Sequence, residues 1–227
     1  MAPAELFFHQ RGVLTPAECA GWSAGVYAAR ADWTPCFEGV QFTLGRAYYT
    51  HLEEDRADEY FATAGESDAV VERALPEMQA RVRAILARLV GVPVTPRPGW
   101  CGPGVHIFPA GNWLSHNGGD IHFDTEGLPD EALATRRPAL SAVFMLQPPE
   151  RGGGLRVWDA SWEGDDDEAS GAAAARAPSA VADYVAGDLV VIDSYRLHQI
   201  QPFAGDRDRL SVTAHLVLAD DGWHAWF

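Results

Sequence analysis

"GDLVVIDSYRLHQIQPF" occupies Gly187–Phe203, and its two apolar arms decide the fold of the second half of the chain. Leu189–Ile192 is an apolar, mostly β-branched run closed by Asp193, and a second strand begins near His198 after a short turn. "RLSVTAHLVL" (Arg209–Leu218) continues the pattern, with polar and apolar residues alternating at the strand period. Upstream lie "GVHIF" (104–108), "DIHFD" (120–124), "LSAVFML" (140–146) and "GLRVW" (154–158). Each is short, alternating or β-branched, and bounded by Gly, Pro or Asp. Such a series predicts an all-β barrel or sandwich backed by helices.

The helices come from the first half. "LTPAECAGWSAGVYAAR" (14–30) opens with Thr15 as N-cap, Pro16 at the first helical position and Glu18 closing a capping box. After Pro76, Met78, Val82, Ile85, Leu86 and Leu89 recur at helical spacing, and Gly91 suits the C-terminal cap. Residues 31–66 are mixed and aromatic-rich, read as a strand with loops. The expected organisation is a single domain, 1–227. Helical support spans 1–97, a β core spans 98–219, and a flexible acidic loop spans 160–180. Asp165, Asp166, Asp167 and Glu168 in that loop lack the glycine and terminal glutamate of a calcium loop, so solvated charge is expected there.

Composition removes several function classes. A 227-residue chain can bury one core, and 47% hydrophobic residues is ordinary for a soluble protein. No apolar run is long enough to span a membrane, and the N-terminus lacks the pattern of a secretion signal. A net charge of −15 opposes binding to nucleic acid or an anionic membrane surface. Cys19, Cys36 and Cys101 form neither a disulfide framework nor a zinc ribbon, which suggests a reducing, cytoplasmic setting. All 17 basic residues are arginine. The missing ε-amine excludes a PLP Schiff base, a Walker lysine and a lysine nucleophile.

Chemistry concentrates in "GGDIHFDTEG" (Gly118–Gly127). On a strand His122 and Asp124 project to one side and Phe123 to the other, where it is expected in the core. An imidazole and a carboxylate side by side suit a divalent metal, and His198 is the best third ligand. His9, His51 and His224 lie outside the strand-rich region. His106 and His116 lie near enough to support the site or touch substrate, and His215 reads as an ordinary strand histidine. Arg209 and Ser211 share one strand face, a fork of donors plus a hydroxyl suited to a carboxylate. The alternative for Arg209 is a surface ion pair with Asp206 or Asp208. Trp113, His116, Glu126, Tyr195 and Arg196 are candidates for substrate contact, because loops beside a rigid site often carry recognition. Trp158 and the aromatics of "DGWHAWF" are read as packing.

His122-x-Asp124, distal His198 and Arg209-x-Ser211 resemble the pattern of the Fe(II)/2-oxoglutarate-dependent oxygenases. "ERGGGLRVWD" and "GDLVVIDSYRLHQIQPF" are similar to the strands that precede the distal histidine in that family. The resemblance covers roughly residues 98–219 and implies a double-stranded β-helix (jelly-roll, cupin-like) core with N-terminal helices. It implies Fe(II) on His122, Asp124 and His198, with 2-oxoglutarate held by Arg209 and Ser211. O2 is the second cosubstrate and succinate the product. Halogenases of the family replace the metal carboxylate with a small residue, so Asp124 favours hydroxylation or a related oxidation over halogenation. The expected substrate is a small molecule, a free amino acid or a natural-product intermediate. The oligomeric state is left open. Two alternatives stand beside this expectation: a metal-dependent cupin-like oxygenase or isomerase that does not use 2-oxoglutarate, and a non-catalytic cupin-like binding module.

Overall fold

In the computed structural model, residues 5–164, 171–172 and 174–227 are described; Asp165–Glu168 lie outside them. The strands in chain order are β1 (Phe8–Gln10), β2 (Thr34–Cys36), β3 (Gln41–Leu44), β4 (Val94–Pro96) and β5 (Gly104–Phe108). They continue with β6 (Ala139–Gln147), β7 (Arg151–Gly152), β8 (Leu155–Ser161), β9 (Ser179–Ala182) and β10 (Leu189–Asp193). The last four are β11 (Arg196–Ile200), β12 (Phe203–Ala204), β13 (Arg209–Ala219) and β14 (Gly222–Trp226). The helices are α1 (Pro16–Ala28), α2 (Tyr48–Glu53), α3 (Ala57–Ala62), α4 (Ala64–Ala74), α5 (Met78–Val90), α6 (Trp113–Asn117) and α7 (Asp130–Thr135).

A nine-stranded sheet runs β1-β10-β6-β13-β5-β3-β2, with β14 added between β13 and β4. A three-stranded sheet, β11-β8-β9, faces it, and β12 pairs with β7. All pairs are antiparallel except β14 with β4. A large and a small antiparallel sheet face to face form a jelly roll, the double-stranded β-helix. The first 97 residues do more than buttress it: β1–β4 extend the large sheet, and α2 and α3 stand where a strand with loops was expected. These short helices are held by tertiary contact rather than by their own periodicity. Tyr48, Tyr60, Phe61 and Trp100 interlock with ring centroids 4.6–5.7 Å apart.

The two faces of β13 explain the architecture. Leu210, Val212, Ala214 and Leu216 are buried on the outer face against Val82, Ile85 and Leu86 of α5 and Val26 of α1. Fully burying each such side chain contributes about 1.5–3 kcal/mol. Thr15 and Glu18 form the capping box of α1, and Gly91 ends α5 in the left-handed conformation. The inner face of β13 carries Arg209, Ser211, Thr213 and His215 instead. Toward the other side of the interior the sheets close on apolar residues, with Val190 and Ile192 meeting Leu155, Val157 and Ala182. The polar strip on β13 therefore faces the space between the sheets, where a site can be built.

Candidate metal centre

Residues 119–124 run antiparallel to β11 without forming a strand. The expected strand at 120–124 is reduced to one bridged residue, His122, which exchanges both backbone hydrogen bonds with His198 (3.1 and 3.0 Å). Gly119 N–H donates to the Ile200 carbonyl and Asp124 N–H to the Ser194 carbonyl. Gly118 permits this approach: its φ is +83°, and a Cβ there would lie 2.6 Å from the Ile200 oxygen. The "GG" before the ligands thus serves backbone proximity.

This pairing gathers His122, Asp124 and His198, with one ligand atom of each within 4.8 Å of the others. His122 Nε2 lies 3.5 Å from Asp124 Oδ1, and His198 Nε2 lies 3.3 Å from Asp124 Oδ2. Each histidine is oriented by its own chain. His122 Nδ1 hydrogen-bonds the Asp120 carbonyl at 2.9 Å and His198 Nδ1 the Arg196 carbonyl at 3.0 Å. A carbonyl only accepts, so Nδ1 carries the proton and Nε2 is the ligand atom in both rings. Burial works against protonation of His122, but the Asp124 carboxylate raises its pKa to about 9. Burial alone would raise the Asp124 pKa; His198 and His215, with hydrogen bonds from His122 and His198, hold it well below the usual range. An arriving divalent cation would displace the shared proton. Two imidazoles and a carboxylate on one side leave the opposite positions of a metal open, so the donor set fits a non-haem iron.

Arg209 supplies the second test of fit. It is 1% exposed, which removes the surface ion pair with Asp206 or Asp208. Nε donates to the Gly153 carbonyl and Nη1 to Ser211 Oγ, both at 3.0 Å. Among the described residues, buried Nη2 has no partner and neither has the hydroxyl of Tyr184, whose ring centre lies 5.5 Å from the guanidinium carbon. Buried donors without a partner are costly unless an anion reaches them. A bound carboxylate would give Arg209 Nη2 a partner, with the Tyr184 hydroxyl a candidate second donor. Tyr184 is absent from the sequence-derived candidates because nothing local in "VADYVAGD" marks it.

The remaining candidates are dispersed. Trp113 is 59% exposed on α6, and His116 beside it hydrogen-bonds back to the Asn112 carbonyl. Glu126 is half-buried, and its charge reaches His122. Tyr195 is buried with Leu128, Ala132 and Trp226, its hydroxyl donating to the Ala132 carbonyl. Arg196 pairs with Asp159 at 2.8 Å. Phe123 and Trp158 pack together with Leu197 on the outside of the small sheet. His215, read as an ordinary strand histidine, bonds Ser141 Oγ at 3.1 Å and stands 3.9 Å from Asp124 Oδ2. The alternation that placed Arg209 and Ser211 together reaches His215 four residues on, a signal that was available.

The family model of the carrier-protein-independent halogenase WelO5 matches residues 111–227. No curated protein matches the sequence significantly. Among solved structures, the chain resembles an N-substituted L-amino acid dioxygenase from Burkholderia ambifaria AMMD (TM-score 0.61, 16% identity, 97% of this chain and 86% of that one). It also resembles AviO1 from Streptomyces viridochromogenes Tue57 (0.59, 16%, 95% and 90%). A third is the non-heme alpha ketoglutarate dependent epimerase SnoN of nogalamycin biosynthesis (0.57, 18%, 92% and 76%). At these identities the likeness is one of fold.

Proposed function

The chain belongs to the family of the carrier-protein-independent halogenase WelO5, within the Fe(II)/2-oxoglutarate-dependent enzymes, and on that premise we propose that it hydroxylates a small molecule. His122, Asp124 and His198 would hold Fe(II). Arg209, Ser211 and Tyr184 would hold the far carboxylate of 2-oxoglutarate. Iron, 2-oxoglutarate and O2 together supply C–H oxidation coupled to decarboxylation of 2-oxoglutarate to succinate.

The chain's own residues bind, orient and exclude water. The Nδ1 bonds of His122 and His198 keep both ligand nitrogens aimed at one point. His215 and Ser141 support the Asp124 side of the site. Arg209 is buried among Phe108, Tyr184 and Ser211, so its charge is poorly solvated and strongly felt by an anion. The observation that carries the reading is the unpartnered Arg209 Nη2 beside an unpartnered Tyr184 hydroxyl. A cupin that dispensed with 2-oxoglutarate would have no need of that pair.

The family's namesake is a halogenase, yet Asp124 fills the position that such enzymes vacate for halide. Oxygen insertion is therefore favoured over halogen transfer. The nogalamycin and amino-acid enzymes of the same fold make a natural-product intermediate or an amino acid reasonable substrate classes. The test is a screen of both classes with Fe(II), 2-oxoglutarate, O2 and chloride, measuring succinate and product mass. Succinate release with one added oxygen, lost in His122→Ala, is expected. Folded, iron-loaded protein that never consumes 2-oxoglutarate refutes the proposal, and a chlorinated product refutes its choice of reaction.

A further inference from the structure

His106 and Tyr49 are left unexplained by the metal and its cosubstrate. His106 lies on β5 directly opposite Ser211 of β13 and Thr43 of β3, so all three side chains share the inner face of the large sheet. It stands one strand from the carboxylate anchor, and the charges of Asp124, His122, Arg209 and His215 all reach it. His106 is 6% exposed, and its Nδ1 has no hydrogen-bond partner among the described residues. Tyr49, on α2, lies across from it with ring centroids 5.7 Å apart. The Tyr49 hydroxyl accepts a hydrogen bond from Gln41 Nε2, and no described residue accepts its own proton. The charge of Asp124 reaches Tyr49 as well. A buried nitrogen and an uncommitted hydroxyl proton therefore sit on two neighbouring rings whose centroids lie 5.7 Å apart.

The surroundings specify the polar group that suits them. Burial, with His215 and Arg209 nearby, holds the His106 pKa down to about 3, so the ring is neutral. Burial likewise keeps Tyr49 protonated. A carboxylate bound here would lack a cation, since Arg209 is committed to the cosubstrate. An ammonium would meet no carboxylate hydrogen-bonded to either group among the described residues: Asp124 is committed to the metal, and Glu53 reaches Tyr49 through its charge alone. A neutral carbonyl accepts from the Tyr49 hydroxyl and from the His106 N–H without burying a charge. The flanks are aromatic: Phe108 stacks on His106 at 5.6 Å, and Phe227 meets its edge at 4.8 Å. Phe227 is seated over Gly104, where a Cβ would lie 2.1 Å from its ring. Such walls suit a ring or hydrocarbon framework.

We infer that His106 and Tyr49 recognise the primary substrate by a neutral carbonyl, as in an amide, lactam or ketone, carried on an apolar framework. This rests on the proposed oxygenase function and narrows its substrate class away from free amino acids.

The test titrates anaerobic protein, loaded with Fe(II) and 2-oxoglutarate, with benzamide, benzoate and benzylammonium by calorimetry. Benzamide is expected to bind at least about tenfold more tightly than either ion, and Tyr49→Phe and His106→Leu are each expected to weaken it at least about fivefold. Equal binding of the three probes, or a benzamide affinity untouched by both substitutions, overturns the inference. Tyr49→Phe removes a single oxygen and leaves Gln41 Nε2 without its acceptor, so its melting temperature is measured beside the titration, and binding is compared only where the variant melts above the assay temperature. His106→Leu removes an unpartnered buried nitrogen and is expected to raise the melting temperature; a fall would mark His106 as structural and count against the inference. The metal-to-ligand absorption band of the same samples reports separately on the oxygenase reading. A band without benzamide preference defeats the subsite alone, and a missing band defeats the reading beneath it.

Discussion

Arg209→Met separates a ligand anchor from a structural arginine. In the ligand-free protein Arg209 makes two hydrogen bonds, to Gly153 O and Ser211 Oγ, and leaves Nη2 bare at 1% exposure. Hydrogen bonds from a charged group contribute about 1.5–3 kcal/mol each, while an orphaned buried donor costs about 1–3 kcal/mol. Burying an ion without a counter-ion costs several kcal/mol more. Those terms nearly cancel, so replacement by an apolar side chain of similar length should change ligand-free stability by no more than about 1.5 kcal/mol. At this chain length that is a melting shift of roughly 6 °C or less. Cosubstrate binding should respond differently. Losing a charge-assisted pair of donors costs about 3 kcal/mol, on the order of a hundredfold in Kd. With 2-oxoglutarate at a hundred times the wild-type Kd, the wild type gains about 2.7 kcal/mol, roughly 5–11 °C. The variant, then near its own Kd, gains about 0.4 kcal/mol, roughly 1 °C. The assay is thermal melting of anaerobic Fe(II)-loaded protein with and without 2-oxoglutarate. A variant that keeps the full ligand shift, or whose ligand-free form melts far below the wild type, refutes the reasoning.

Gly118→Ala forces a side chain into a φ of +83° and against the Ile200 oxygen, so it should cost about 1–3 kcal/mol in denaturant unfolding and lower metal occupancy by displacing His122. Leu86→Ala, at 0% exposure between α5 and the sheet, should cost about 2–5 kcal/mol in the same assay and leave the metal ligands in place. The hydrogen bond from Arg81 and the backbone bond at Thr15 lower the Glu18 pKa from 4.5 to about 2. Its stabilising contribution is therefore full above pH 4.5 and is lost as pH falls through 2. Glu18→Gln should cost about 1 kcal/mol at neutral pH, with the difference from wild type shrinking in acid.

What the sequence disclosed tracks how local the cause is. Thr15, Pro16 and Glu18 define the start of α1 within four residues, and the spacing of Met78, Val82, Ile85 and Leu86 defines the buried face of α5. The alternation in Arg209–Leu218 gave the two faces of β13, one for helices and one for the interior. The rest depends on partners far along the chain. Residues 120–124 have strand composition, yet pair with β11 through a single bridge, beside the close approach of Gly118 to the Ile200 oxygen. Helices α2 and α3 are too short to show periodicity and are fixed by Tyr60 and Trp100. His106, Tyr49 and Tyr184 gain meaning only when the register sets β3, β5 and β13 side by side, or when a buried atom is found without a partner.

The central claim is that His122, Asp124 and His198 hold iron beside an Arg209-anchored 2-oxoglutarate. The most direct test is the visible spectrum of anaerobic protein given Fe(II) and then 2-oxoglutarate. The account predicts a metal-to-ligand charge-transfer band that is abolished by His198→Ala and needs about a hundredfold more 2-oxoglutarate in Arg209→Met. Folded, iron-loaded wild-type protein that takes up 2-oxoglutarate to no spectral effect would contradict it.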